Sequence, residues 1–153
     1  MTRPDFPTFY HDVIDAIGMN RGLFDFLRSW WPLRNQSNVL FLHFANMKKD
    51  HEGSIHRVAD FIGVQPTVQQ WAAITDYTSF PWMKQNGIKF DASTATEVPV
   101  LTPGAMVRKG QTGSASEDGM TPEISAHLRA AGNEVFSDEQ ALQWFFEGGP
   151  LPT

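Results

Sequence analysis

The sequence predicts one helix-dominated α/β domain, spanning 1–153, with few strands of its own. Its 153 residues fall within the size range of a single domain. Apolar residues recur at helical spacing in several segments. One compact apolar run, NVLFLHF at 38–44, is typical of a strand buried on both faces, as in a parallel sheet. Hydrophobic residues make up 41% of the chain, with five Trp and twelve Phe, so material for a core is ample.

Two helices are predicted before the strand. The first covers 8–17 and ends near Gly18, a natural stop signal. The second is ended by Pro32, which cannot continue a helix. Its apolar face consists of Leu23, Phe24, Leu27 and Trp31.

Further helices follow the strand. One begins near Asp50 or His51 and ends at Gly63. Its buried stripe is Ile55, Val58, Ala59 and Ile62. The next helix lies in QPTVQQWAAITDY, with Val68, Trp71 and Ala72 inward, and SFPWMKQNG adds a further helical turn or two. Two last helices cover 122–131, capped by Thr121, and 138–147, stopped by Gly148.

A long loop rich in Thr, Ser and Gly is expected over 88–122. Loops of this length are uncommon inside compact domains and tend to be functional or disordered. The single predicted strand poses a separate problem, because each buried and unpaired backbone group costs about 1–3 kcal/mol. The strand must therefore pair with another chain, or the parent fold is larger than this polypeptide.

Composition excludes several classes of function. The sequence has no cysteine, which excludes disulfides and thiolate metal sites and fits a cytoplasmic protein. A formal charge of −5 argues against general nucleic-acid binding, which needs clustered Lys and Arg. No apolar run approaches the ~20 residues of a membrane span, and the N-terminus does not resemble a signal peptide. Neither nucleic acid nor a membrane is therefore expected as a partner.

The stretch GAMVRKGQTGSAS at 104–116 is basic in an otherwise acidic chain. Arg108 offers a planar fork of donors that fits phosphate oxygens, and Lys109 adds a mobile point charge. Gly110 has no side chain and lets backbone N–H groups approach an anion closely. The triplet indicates either an anion clamp or a solvated basic turn, and the triplet alone favours the turn.

Three stretches, in order, resemble the C-terminal half of the cytosolic-type sulfotransferases. They are VLFLHFANMKKDHEGSIHRVADFIGV, YTSFPWMKQNG and MVRKGQTG, and the similarity runs over about residues 20 to 115. The resemblance implies the P-loop-containing sulfotransferase fold. It also implies transfer of a sulfuryl group from 3′-phosphoadenosine 5′-phosphosulfate to a hydroxyl or amine.

The same resemblance implies a set of nucleotide-binding residues. Those expected at the 3′-phosphate are Arg108, Lys109 and Gly110. Those expected at the adenine are Thr78, Ser79, Phe80 and Phe44. An aromatic ring packs on a purine face, and a hydroxyl reads its edge. Ordinary core packing is the alternative for Phe80.

Departures from the family pattern concern both the adenine and the catalytic groups. Many relatives have tyrosine where Phe44 stands and aspartate where Asn46 stands, and often an aromatic residue before Arg108. The family's P-loop and catalytic histidine would lie upstream of this chain, and a search for G-x-x-x-x-G-K-[ST] finds none. No catalytic residue is therefore assigned among the five histidines. No metal site is assigned either, because HEGSIH is not H-E-x-x-H.

Two hypotheses about function follow. The chain is either a sulfotransferase component that needs a complementary N-terminal half or an oligomer, or a non-catalytic nucleotide-binding or interaction protein that oligomerises. In both, 3′-phosphoadenosine 5′-phosphate is the expected nucleotide product or ligand. The acceptor substrate is unknown, because in the family its pocket draws on regions absent from this sequence.

Overall fold

The computed structural model describes residues 5–90, 104 and 106–153. They fall into two compact units, Met1–Asp50 with Thr112–Thr153, and His51–Gln111. Every regular element in this part of the chain is helical, which confirms the helix-dominated architecture. The α-helices are α1 Phe6–Phe9, α2 Met19–Trp30, α3 Phe44–Lys49, α4 His51–Ile62, α5 Val68–Tyr77, α6 Phe80–Gln85, α7 Pro122–Val135 and α8 Glu139–Glu147.

The core of the first unit forms where α2, α7 and α8 meet. Phe24 of α2 is fully buried against Ala131 and Leu142. Gly132 permits this packing, because a Cβ there would lie 3.0 Å from the Phe24 ring. A second cluster follows along the same interface and consists of Leu27, Trp31, Ala141 and Trp144.

Side-chain caps fix where α7 and α8 begin. Thr121 caps α7 by accepting a hydrogen bond from the N–H of Ile124 at 3.2 Å, as the sequence predicted. Asp138 caps α8 by accepting from the N–H of Ala141 at 3.0 Å. Its other carboxylate oxygen accepts from the indole N–H of Trp31 at 2.9 Å. Asp138 therefore joins the start of α8 to the end of α2.

The N-terminal helix differs from the uniform helix expected over 8–17. A single α-turn, α1, is followed by a π-helix at Tyr10–Asp15, and α2 begins after Gly18. Tyr10 is buried, and burial raises the pKa of its phenol above the ordinary value. Its hydroxyl lies 3.3 Å from Nδ1 of His127 on α7. This contact joins the N-terminal segment to α7 within the first unit.

The predicted strand at 38–44 is wrong in the part of the chain that the structure describes. Residues 39–43 are half-buried and in no regular element, and Phe44 is the first residue of α3. A strand needs a neighbour to complete its ladder of hydrogen bonds. The described residues contain no strand that could serve as this neighbour, and 38–44 itself forms none. The α/β class is therefore not observed in the described residues. The apolar run that suggested a strand is half-buried without forming one.

In the second unit the helices are where the sequence predicted them, but their predicted buried faces are only partly buried: Ala59 is buried, whereas Ile55, Val58 and Trp71 are half-buried. The capping box formed by Thr67 and Gln70 starts α5. Val68 is nevertheless 86% exposed, and Ile62 of α4 is 61% exposed. The buried residues described in this unit are Ser54, Ala59 and Gly87. Helical periodicity correctly located the helices, whereas burial depends on neighbours that the described residues of this unit do not supply.

The predicted loop at 88–122 lies partly outside the described residues, which omit 91–103 and 105. Its described parts include the end of a 3₁₀ turn at Gly87–Phe90 and another turn at Ser116–Asp118. The assignment of the whole chain to one domain stays a prediction. Across the described residues, none of the helices combines the length and apolar character needed to span a bilayer.

Candidate functional site

The junction between α5 and α6 carries three of the four predicted adenine-binding residues, Thr78, Ser79 and Phe80. Thr78 ends α5, and Ser79 caps α6 by accepting a hydrogen bond from the N–H of Trp82 at 3.3 Å. Pro81 in the first turn of α6 has the φ that a helix start requires. Phe80 is therefore the first residue of α6, and its ring is half-buried.

Gly110 of the basic loop packs directly on the Phe80 ring. A Cβ on Gly110 would lie 2.2 Å from Cδ2 of that ring, where no real atom fits. Its φ of 61° also lies in the left-handed region that favours glycine. The second unit thus brings together two stretches that are thirty residues apart. The ring of Phe80 gives Gly110 a packing role in addition to the anion contact expected from sequence.

Lys84 forms a second contact between α6 and the loop, and the sequence analysis missed it. Its ammonium donates to the carbonyl of Val107 at 2.6 Å and to that of Arg108 at 3.1 Å. Lys84 follows Phe80 by four residues, so both side chains lie on one face of α6. This spacing was the available signal, although it does not reveal which segment lies opposite.

The two cations of the loop lie between these anchors. Arg108 is exposed, and Lys109 is half-buried. The carbonyl of Arg108 is bonded to Lys84, and the next residue but one, Gly110, rests on Phe80. The backbone that carries both charges is therefore held at each end. Their role toward an anion remains a prediction.

Hydroxyl groups beside the ring already have partners in the helices. Thr78 Oγ1 donates to the carbonyl of Ile74 at 2.7 Å, so the hydrogen of this hydroxyl is already used and its oxygen is left to accept. The carbonyl of Thr78 lies 3.0 Å from Nε2 of His51. The Ser79 hydroxyl is used in the cap of α6. A purine amino group would suit Thr78 better than a ring nitrogen.

Phe44, the remaining predicted adenine contact, belongs to the first unit. It begins α3 and is 55% exposed, and its adenine contact remains a prediction. Asn46, two residues later, uses its whole amide on the backbone of Gly149. Its Nδ2 donates to the Gly149 carbonyl at 2.7 Å, and its Oδ1 accepts from the Gly149 N–H at 2.9 Å. Asn46 therefore holds the C-terminal segment in this structure.

The histidines have structural contacts. His43 accepts from the N–H of Ala45 through Nδ1, which leaves Nε2–H to donate to the carbonyl of Phe145 at 3.0 Å. His56 stacks on Trp71, with ring centroids 3.9 Å apart. Within the described ranges, no cluster of His, Asp and Glu is suited to hold a metal ion.

Comparison with known proteins places these observations in a family. Residues 2–140 match the family model described as Sulfotransferase domain. Sulfotransferase 2A1 of Rattus norvegicus is 31% identical over 90 residues, which cover 59% of this chain and 31% of that protein. Sulfotransferase 2A2 of Mus musculus is 33% identical over 90 residues, with the same coverage of 59% and 31%.

A more distant relative is matched over a longer stretch. Sulfotransferase 1C2 of Homo sapiens is 25% identical over 115 residues, which cover 75% of this chain and 36% of that protein. The matched region therefore spans about a third of the length of these relatives. No solved structure matches the chain.

Proposed function

The chain belongs to the sulfotransferase family, and we propose that it binds the 3′-phosphoadenosine part of 3′-phosphoadenosine 5′-phosphosulfate. The contact between Gly110 and the Phe80 ring carries this proposal, because it joins the predicted phosphate loop to the predicted adenine segment. The reaction served is transfer of a sulfuryl group to a hydroxyl or amine acceptor. The chain corresponds in this proposal to part of the P-loop-containing sulfotransferase fold.

The residues of the loop fit a phosphate group. Arg108 is an exposed residue, and a guanidinium can donate two parallel hydrogen bonds to phosphate oxygens. Lys109 contributes a second positive charge. Because these charges lie in a chain of net charge −5, the attraction for an anion is local to the loop.

The residues of the α5–α6 junction fit a purine. Part of the Phe80 ring surface stays exposed and can pack on the base. Thr78 can accept a hydrogen bond from an exocyclic amino group, since its own hydrogen is bonded to Ile74.

Sulfuryl transfer needs catalytic groups in addition to these nucleotide-binding residues. When bound, the co-substrate supplies the electrophilic sulfur; a complete site must also hold the 5′-phosphosulfate and accept a proton from the acceptor. The 153 residues contain no P-loop motif, and two of the described histidines, His43 and His51, are hydrogen-bonded to backbone carbonyls. We propose that a complementary segment, in a longer protein or a second chain, supplies these groups.

Nucleotide binding tests the proposal directly. An NMR-detected titration with 3′-phosphoadenosine 5′-phosphate should perturb the amides of the loop and of the α5–α6 junction. Two or three charge-assisted contacts of about 1.5–3 kcal/mol each, offset by the cost of association, predict a Kd of roughly high micromolar to millimolar.

A matched pair of variants gives the test its specificity. Arg108→Ala with Lys109→Ala should abolish the response. Arg57→Ala with Lys89→Ala also removes two positive charges from this unit, at exposed residues outside the loop and the α5–α6 junction, and should leave binding intact. Equal responses from both double variants would remove the phosphate assignment.

A second candidate function is a non-catalytic interaction protein. Its support is the exposed apolar surface of the second unit, where Val68 is 86% and Ile88 is 74% exposed. Surfaces of this kind mark contacts with partners. Sedimentation velocity separates the candidates: self-association without any nucleotide response would favour this function, and a monomer that binds the nucleotide would favour the first.

A further inference from the structure

The loop that carries Arg108 and Lys109 contacts α6 at two points, one turn apart on the helix. At the start of α6, the ring of Phe80 supports Gly110. One turn later, the ammonium of Lys84 bonds the carbonyls of Val107 and Arg108. The loop therefore runs alongside α6 in the opposite direction, with each of its ends held by a different kind of contact.

The Phe80 and Lys84 contacts differ in how strongly they restrain the backbone of the loop. The Phe80 ring blocks the approach of Gly110 from one side but attracts it only through dispersion. Lys84 makes two charge-assisted hydrogen bonds, which are short and directional. Because the two acceptors are the carbonyls of Val107 and Arg108, the bonds restrain the peptide planes on both sides of the Arg108 Cα. These two planes together set the direction in which the Arg108 side chain leaves the backbone.

We propose that Lys84 is a positioning residue for anion binding: it holds the loop so that Arg108 and Lys109 face the phosphate together. This inference rests on the proposed nucleotide site and adds a residue to it. Lys84 acts through the backbone of Arg108 and not as a phosphate ligand, because two of its three N–H donors are used on carbonyls.

Pre-organisation explains why such a tether matters. A loop that must be ordered during binding loses conformational entropy at that moment, and affinity falls accordingly. A tether that orders the loop beforehand removes this cost. Removing the tether should therefore weaken nucleotide binding and loosen the loop in the free protein. A direct ligand would weaken binding without loosening the free loop.

The test compares Lys84→Gln with Lys89→Gln. Lys89 lies in the same unit and carries the same charge, but its ammonium lies 5.1 Å from the Trp82 ring centroid. We expect Lys84→Gln to weaken binding of 3′-phosphoadenosine 5′-phosphate about tenfold. In the free protein, its backbone order parameters over 107–110 should fall from about 0.85 toward 0.6. Lys89→Gln should change neither quantity by a comparable amount.

A double-mutant cycle separates positioning from direct contact. In an Arg108→Ala background, Lys84→Gln should cost less binding than it does in the unaltered chain, because one of the two residues that it positions is gone. Additive losses would show that Lys84 contacts the phosphate itself and would overturn the proposal. Unchanged order parameters in Lys84→Gln would overturn it as well. If the unaltered chain binds no nucleotide, the proposed function fails, and the order parameters alone then decide whether Lys84 tethers the loop.

Discussion

At the scale of single residues, Gly110 determines whether the loop and α6 can meet. It combines a left-handed φ of 61° with a contact that leaves no room for a Cβ. The sequence resemblance pointed to this glycine as a phosphate ligand. The structure adds a second reason for glycine at this position, which the motif does not reveal: the Phe80 ring occupies the space that a side chain would need.

Gly110→Ala should therefore lower the free energy of unfolding by more than the backbone effect alone. An alanine in the left-handed region costs about 1–2 kcal/mol, and displacement of the ring costs about 1–3 kcal/mol more. Gly113→Ala is the matched control, since Gly113 has a φ of 79° and nothing lies within 4 Å of the point that a Cβ would occupy. Chemical denaturation and nucleotide titration provide the measurements. Equal losses in the two variants would contradict the packing role of Gly110.

At the scale of elements, the sequence predicted what is local and missed what is not. The helices were found because periodicity and caps such as Thr121 act within a few residues. The strand predicted at 38–44 was wrong because a strand needs a neighbour to pair with, and the described residues contain none. The contact of Lys84 with the loop was missed because its acceptors lie 23 and 24 residues away in the sequence.

Asp138 provides a test at this scale, because it both caps α8 and bonds the indole of Trp31. Asp138→Ala should lose about 1 kcal/mol from the cap and about 1–3 kcal/mol from the unsatisfied N–H, since Trp31 is only 3% exposed. Thr121→Ala removes a cap alone and should cost about 1 kcal/mol. Urea unfolding measures both, and equal losses would mean that the Trp31 bond contributes nothing.

At the scale of the whole molecule, the two units differ in how well they bury their own surface. The first unit has a continuous aromatic core around Phe24 and Trp31. The described part of the second unit, which carries the candidate site, leaves Val68 and Ile62 largely exposed. Because the matched region spans about a third of its relatives, we propose that further sulfotransferase segments cover this unit. Their presence should tighten the nucleotide site beyond the weak affinity expected here.

The most direct measurement compares two nucleotides that differ only at the 3′ position, 3′-phosphoadenosine 5′-phosphate and adenosine 5′-phosphate. We expect the first nucleotide to bind at least tenfold more tightly, because only its 3′-phosphate can engage Arg108 and Lys109. We also expect this preference to disappear in the Arg108→Ala, Lys109→Ala variant. Equal affinity of the unaltered chain for both nucleotides would contradict the assignment of this loop to the 3′-phosphate.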